Sequence, residues 1–148
     1  DDTQAVNWYR KAADQGNAKA QFVIGSGYEL GLGVEKSLEE AVRWYHLSAK
    51  GDNARGQNRL GLCFNEGTGL PRDLYDAAYW YRQAACQGFA PAECNLGECY
   101  EFGQGAIKNL AEAAQHWYQQ AAEHGNDRGQ YYIALCYLRG IGVDKDPQ

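Results

Sequence analysis

Apolar residues recur at three- and four-residue intervals along most of the chain, and strand-like alternation is nowhere sustained. From Ala18 to Glu29, the residues Ala20, Ile24, Gly25 and Tyr28 fall on one face of a helix. From Leu38 to Lys50, Ala41, Trp44, Tyr45 and Ser48 do the same. The two patterns alternate, separated by short glycine-bearing segments, so the predicted class is all-α.

The alternation has a fixed period. Trp8, Trp44, Trp80 and Trp117 lie 36, 36 and 37 residues apart, and each is followed by a tyrosine. A second string begins nine residues after each Trp, as NAKAQFVIGSGYELGLGV, NARGQNRLGLCFNEGTGL, FAPAECNLGECYEFGQGA and NDRGQYYIALCYLRGIGV. A period of this length is the mark of a repeat architecture, in which a two-helix unit buries its apolar face only by stacking on its neighbours. The predicted organisation is a single array over 1–148. Residues 1–16 form the second helix of a preceding repeat, 17–52, 53–88 and 89–125 are complete repeats, and 126–148 hold the first helix and loop of a further one. About eight helices are expected. The residue that lengthens the third interval lies between Gly105 and Trp117, in the loop or as a bulge in the helix that follows.

The glycines follow the same period. Gly16, Gly88 and Gly125 are predicted to close the Trp-bearing helices in a left-handed conformation, with Asp52 in that place in the remaining copy. Gly31 and Gly33, with their equivalents, form a Gly-x-Gly connection between the two helices of a unit. Gly25, Gly61 and Gly97 sit inside the first helix at one position, where Ala134 stands in the last copy. An interior glycine costs about 1 kcal/mol against alanine, so its recurrence implies a closely crossing neighbour. The tryptophans, and Tyr28, Phe64, Tyr100 and Tyr137, are expected to form a ladder in the core.

Ala18, Ala20, Gln21, Ile24, Gly25, Tyr28, Gly31, Gly33, Val34, Leu38, Ala41, Trp44 and Tyr45 spell a pattern that resembles the Sel-1-like repeat, a relative of the tetratricopeptide repeat. The resemblance covers essentially the whole chain. It implies a superhelical α-solenoid of stacked antiparallel helix pairs, and a non-enzymatic role as an adaptor or scaffold that binds a partner protein or extended peptide on a concave face lined by the first helices. Alternatives are binding of a small molecule or glycan, or weak hydrolase activity, since one branch of the family has been associated with β-lactam binding. A further alternative is a spacer or assembly segment. The chain opens in a Trp-bearing helix and stops at Asp146-Pro147, with internal-type residues at both ends. That predicts a piece of a longer array, or self-association through open solenoid ends.

Composition narrows the function classes. The 148 residues carry a net charge of -5, which argues against a partner held by phosphate neutralisation and hence against nucleic acid. No apolar run is long enough for membrane insertion. The compartment is left open between cytoplasm and periplasm or secretion.

By the resemblance, the partner face comprises the outward positions of the first helices. These are Lys19, Phe22 and Glu29 in the first copy, Arg55, Asn58 and Asn65 in the second, Glu98 and Glu101 in the third, and Arg128, Tyr131 and Leu138 in the fourth. Lys19, Arg55 and Arg128 occupy one equivalent position and form a basic ridge suited to an acidic or carboxylate-ended peptide. Glu98 and Glu101 oppose that reading.

Cys63, Cys99 and Cys136 share one repeat position and are expected to be small buried hydrophobes. Cys86 and Cys94 flank a turn, eight residues apart. A cysteine-rich secreted branch of the family bridges adjacent helices at that interval, which makes them the candidate disulfide. Each falls one position later here, which turns its side chain by about 100°. No His, Cys and carboxylate set has metal-ligand spacing, and no cofactor loop or catalytic constellation is present, so neither metal nor cofactor is expected. Gly25-Ser26-Gly27 lies within a helical pattern and follows no strand. His124 is expected at a helix terminus, and Asp144-Lys145-Asp146 as a solvated helix entry.

Overall fold

In the computed structural model, residues 2–144 are described; Lys145, Asp146 and Pro147, and with them the predicted helix entry, lie outside the described residues. Every regular element among these is helical. They are α1 (Asp2–Asp14), α2 (Ala18–Leu30), α3 (Leu38–Lys50), α4 (Ala54–Glu66), α5 (Leu74–Ala85), α6 (Ala90–Phe102) and α8 (Asp127–Arg139). The remaining helix, α7, is π-helical over Glu112–Tyr118 and α-helical over Gln119–Glu123. The chain forms two compact units, residues 1–73 and 74–148.

Helix boundaries follow from capping chemistry. Asn17, Asn53 and Asn126 accept the backbone N–H three residues ahead at 2.8–2.9 Å, opening α2, α4 and α8. In the third copy Phe89 holds this place and offers no side-chain cap; Pro91 in the first turn of α6 supplies a preset backbone angle instead. The left-handed residue after α3 is Asp52, with φ 57°, as the sequence predicts.

In the first unit α2 packs on α1, α3 and α4; in the second α6 packs on α5, α7 and α8. In α3 and α5 the buried aromatic is the tyrosine and not the tryptophan before it; in α7 both are buried, and in α1 both Trp8 and Tyr9 are exposed. Tyr45, Tyr81 and Tyr118 are 1–3% exposed, whereas Trp8 is 68% exposed and Trp44 and Trp80 are half-buried. Only Trp117 of the four joins the core. Tyr28, Phe64 and Tyr100 are half-buried and Tyr137 is exposed, so they line the core's margin.

The recurring interior glycine now has its cause. A Cβ on Gly25 would lie 2.7 Å from the Tyr45 ring, and one on Gly97 would lie 2.5 Å from the Tyr118 ring. The second glycine of the Gly-x-Gly connection makes an equally close approach. A Cβ on Gly69, Gly105 or Gly142 would meet the carbonyl oxygen of Leu38, Leu74 or Leu110. The connections after α4, α6 and α8 are thus seated on the first residue of the preceding second helix or, for α7, on Leu110, two residues before Glu112.

The extra residue of the third interval is a bulge in the helix. Its π-turn places both Ala113 and Ala114 in the core, fully buried, as Ala77 and Ala78 are in α5, whereas α3 buries Ala41 alone at this place. Cys63, Cys99 and Cys136 are buried as expected. Burial pushes the Cys63 thiol up to about 11 and the Cys99 thiol up to about 12.

Candidate functional site

The predicted partner positions divide by exposure. Lys19, Arg55, Arg128, Tyr131 and Leu138 are exposed. Phe22, Glu29, Asn65, Glu98 and Glu101 are half-buried, and Asn58 is buried. Along α8, Arg128, Tyr131 and Leu138 fall within an arc of ~80° at 100° per residue, so they share one face.

Several of the carboxylates are engaged in holding helices together. In the first unit, the guanidinium of Arg59 on α4 forms a bidentate pair with Glu29 on α2, through Nε at 3.0 Å and through Nη2. The Tyr45 hydroxyl donates to the same carboxylate at 2.5 Å. Burial works against ionisation of Glu29, yet these donors and the Arg59 charge outweigh it and hold the carboxyl below its ordinary value. The same carboxylate raises the Tyr45 hydroxyl, adding to the larger effect of burial. Phe22 lies over the Tyr45 ring, with centroids 5.8 Å apart.

In the second unit Glu101 takes the repeat position of Glu29 and accepts the Tyr118 hydroxyl at 2.5 Å. Glu98, one turn earlier, forms the ion pair to Arg128, which also donates to Asn95 Oδ1 at 3.2 Å. The Tyr118 and Tyr132 rings stack with centroids 5.0 Å apart. Each unit therefore joins its two first helices by one carboxylate–guanidinium pair, at registers one turn apart. Of the basic ridge, Arg128 is committed to Glu98, while Lys19 and Arg55 project from the first turns of α2 and α4. The partners Arg59, Tyr45, Tyr118 and Tyr132 escape the sequence reading, although the tyrosine after every Trp was visible as a constant.

Cys86 and Cys94 are free thiols, not a disulfide. Cys86 is exposed beyond α5, while Cys94 is buried against Ala113, Ala114 and Tyr118 and pushed up to about 12 by that burial. The one-residue offset has turned one thiol outward and the other inward.

His124, at the end of α7, also bonds a buried side chain. Its Nδ1–H donates to both oxygens of Glu93, at 2.8 and 3.0 Å, and Glu93 is 2% exposed. At this repeat position Gln21 and Gln57 donate to the carbonyl eight residues earlier, at 3.1 and 3.2 Å. A carboxylate has no proton to give, so the third copy takes a donor from α7's end instead. His124→Ala is expected to cost about 1–3 kcal/mol, because it removes a hydrogen-bond partner of the buried Glu93 carboxyl. Glu93→Gln should relieve the loss in the double variant, as read from denaturant midpoints. No relief would show that the pair is not what keeps Glu93 buried.

No group of three or more His, Cys, Asp or Glu among the described residues could hold a metal ion. No helix among them is long and apolar enough to cross a membrane.

Helical hairpins recurring at a constant period, with Gly25 packed against Tyr45 and Gly97 against Tyr118, define a helical repeat protein. The family model described as Sel1 repeat matches residues 1–17, 18–53, 54–89, 90–126 and 127–148, and the chain belongs to that family. Sel1 repeats are generally protein–protein interaction scaffolds, and proteins built from them are typically non-enzymatic. Comparison with curated proteins finds no match. Among solved structures, the chain is similar to a Sel1 repeat protein from Oxalobacter formigenes. Identity is 43% and the TM-score 0.92, over 99% of this chain and 58% of that one. It is also similar to c5321, a protective antigen present in uropathogenic Escherichia coli strains and displaying an SLR fold. There identity is 40% and the TM-score 0.91, over 97% of this chain and 31% of that one. The chain thus spans less than two thirds of either protein. Cysteine rich protein B of Helicobacter pylori shares the fold at 19% identity and a TM-score of 0.68, over 87% of this chain and 92% of that one.

Proposed function

We propose that this chain is an adaptor that takes a partner protein or extended peptide along the outward surface of its first helices. The observation that carries this reading is the exposed trio Arg128, Tyr131 and Leu138 on one face of α8, a large aromatic flanked by a cation and an aliphatic. Rigid aromatics and arginines dominate the energetics of interfaces. The ion pairs Glu29–Arg59 and Glu98–Arg128 support it by fixing neighbouring first helices side by side. Lys19 and Arg55 on the first unit add positive charge for an acidic segment.

The test is site-specific photocrosslinking in extract of the source cells, with benzoylphenylalanine at Tyr131 or, on a second helix, at Tyr79. Adducts from position 131 that are absent from position 79 and lost in Leu138→Glu are expected. Equal adducts from both positions would overturn the assignment of the face.

A second reading, an assembly segment, is favoured by the apolar recess of about 310 Å³ between α1 and α2. It is lined by Val6, Tyr9, Val23 and Ile24 among others, and Trp8 is exposed on α1. A mass that rises with concentration would support that reading.

A further inference from the structure

Arg10 on α1 with Tyr28 on α2, and Arg82 on α5 with Tyr100 on α6, share one side-chain arrangement; His46 on α3 with Phe64 on α4, and Gln119 on α7 with Tyr137 on α8, depart from it. In the first copy, Arg10 on α1 lies over the Tyr28 ring at 5.5 Å and the Trp44 ring at 5.6 Å, and donates to the Tyr28 hydroxyl at 2.7 Å. In the third copy, Arg82 on α5 lies over the Tyr100 ring at 5.6 Å and donates to its hydroxyl at 2.5 Å. The second copy has His46 in place of the arginine and Phe64 in place of the tyrosine. An imidazole reaches less far than a guanidinium, and Phe64 has no hydroxyl to receive one. At this place there is an open recess of about 350 Å³, lined by Val42, Arg43, His46, Leu47, Leu60, Phe64 and Leu70.

We infer that this recess between α3 and α4 is a binding site for the arginine side chain of a partner, which would take the place that Arg10 and Arg82 fill in the flanking copies. The planar cation would lie on the Phe64 ring, as the guanidinium groups of Arg10 and Arg82 lie on Tyr28 and Tyr100. Its methylene stem matches the apolar walls of Val42, Leu47, Leu60 and Leu70. The electrostatic surroundings permit a cation. Arg43 is paired with Glu40 at 2.6 Å. Burial, aided by the Lys50 charge, lowers the His46 imidazole from its ordinary value, which favours its uncharged form. Lys50 and the recess-lining Arg43 are like charges here, and they keep the site weak for a single side chain. The site is independent of the first-helix surface proposed above.

The experiment is titration of the 148-residue chain with Nα-acetylarginine amide, followed by heteronuclear NMR shifts of the His46 and Phe64 rings. The neutral isostere Nα-acetylcitrulline amide and Nα-acetylphenylalanine amide are run beside it. Saturable shifts at both rings with the arginine probe, and binding ~5-fold weaker with citrulline, are expected. His46→Arg/Phe64→Tyr restores the flanking pattern, fills the recess and should abolish the shifts; His46→Arg alone serves if the double variant does not fold. Equal binding of the phenylalanine probe would replace the inference with a generic apolar site. Shifts that persist in the filled variants, or no saturation in the wild type, would overturn it.

Discussion

Tyr118→Ala is expected to lower stability by about 3–5 kcal/mol, more than any other aromatic truncation in the second unit. Three interactions meet on this side chain. Its ring is 1% exposed and rests on the Gly97 backbone so closely that no Cβ would fit. The ring also stacks on Tyr132 at 5.0 Å, which links α7 to α8. Its hydroxyl donates to Glu101. Alanine removes all three and leaves a cavity against a backbone with no side chain to relax into it. Tyr118→Phe separates the terms. It keeps the ring and loses only the hydrogen bond, and because Glu101 is half-exposed to water the cost should be about 1 kcal/mol. Trp80→Ala supplies the contrast. Trp80 is half-buried, so its truncation should cost about 1–2 kcal/mol. Denaturant midpoints of the three variants order the aromatics. A Trp80 loss equal to that of Tyr118 would reverse the assignment of the core ladder.

The period, the helix pairs and the glycine positions were readable in the sequence because each is enforced by backbone geometry. A left-handed turn or a sub-van der Waals approach leaves little choice of residue, so it recurs. The choice between Trp44 and Tyr45 was not readable. Adjacent residues lie about 100° apart on a helix, and an apolar stripe is wide enough to accept either. The lengthened third interval was visible as a count, but a count does not say whether a loop or a helix absorbs the residue. The pairs Glu29–Arg59 and Glu98–Arg128 span 30 residues at two different registers, so no single repeat position announces them. That is also why outward positions of the first helices were read as one partner surface. Variation between copies marks freedom from the core, yet half of those variable side chains are spent on neighbouring helices. Asn58, variable by position, is buried.

Gly105→Ala should cost at least about 3 kcal/mol, against about 1–2 kcal/mol for Gly125→Ala, and the difference isolates the contact that sets the spacing between repeats. Both glycines have positive φ, 69° and 82°, so both substitutions incur the left-handed strain of an L-residue. Around Gly125 nothing lies within 4 Å of the added Cβ. At Gly105 the Cβ would lie 1.8 Å from the Leu74 carbonyl oxygen and 2.5 Å from its carbon. Those atoms are backbone, held at the opening of α5, and cannot turn away as a side chain would. The connection after α6 must lift off α5, which uncovers apolar surface between these two helices. The same approach recurs at Gly142 over Leu110, so Gly142→Ala should reproduce the loss, at a midpoint shift similar to that of Gly105→Ala. Equal costs at Gly105 and Gly125 would mean that the loop shifts freely. In that case the repeat spacing rests on the tyrosine–glycine contacts alone.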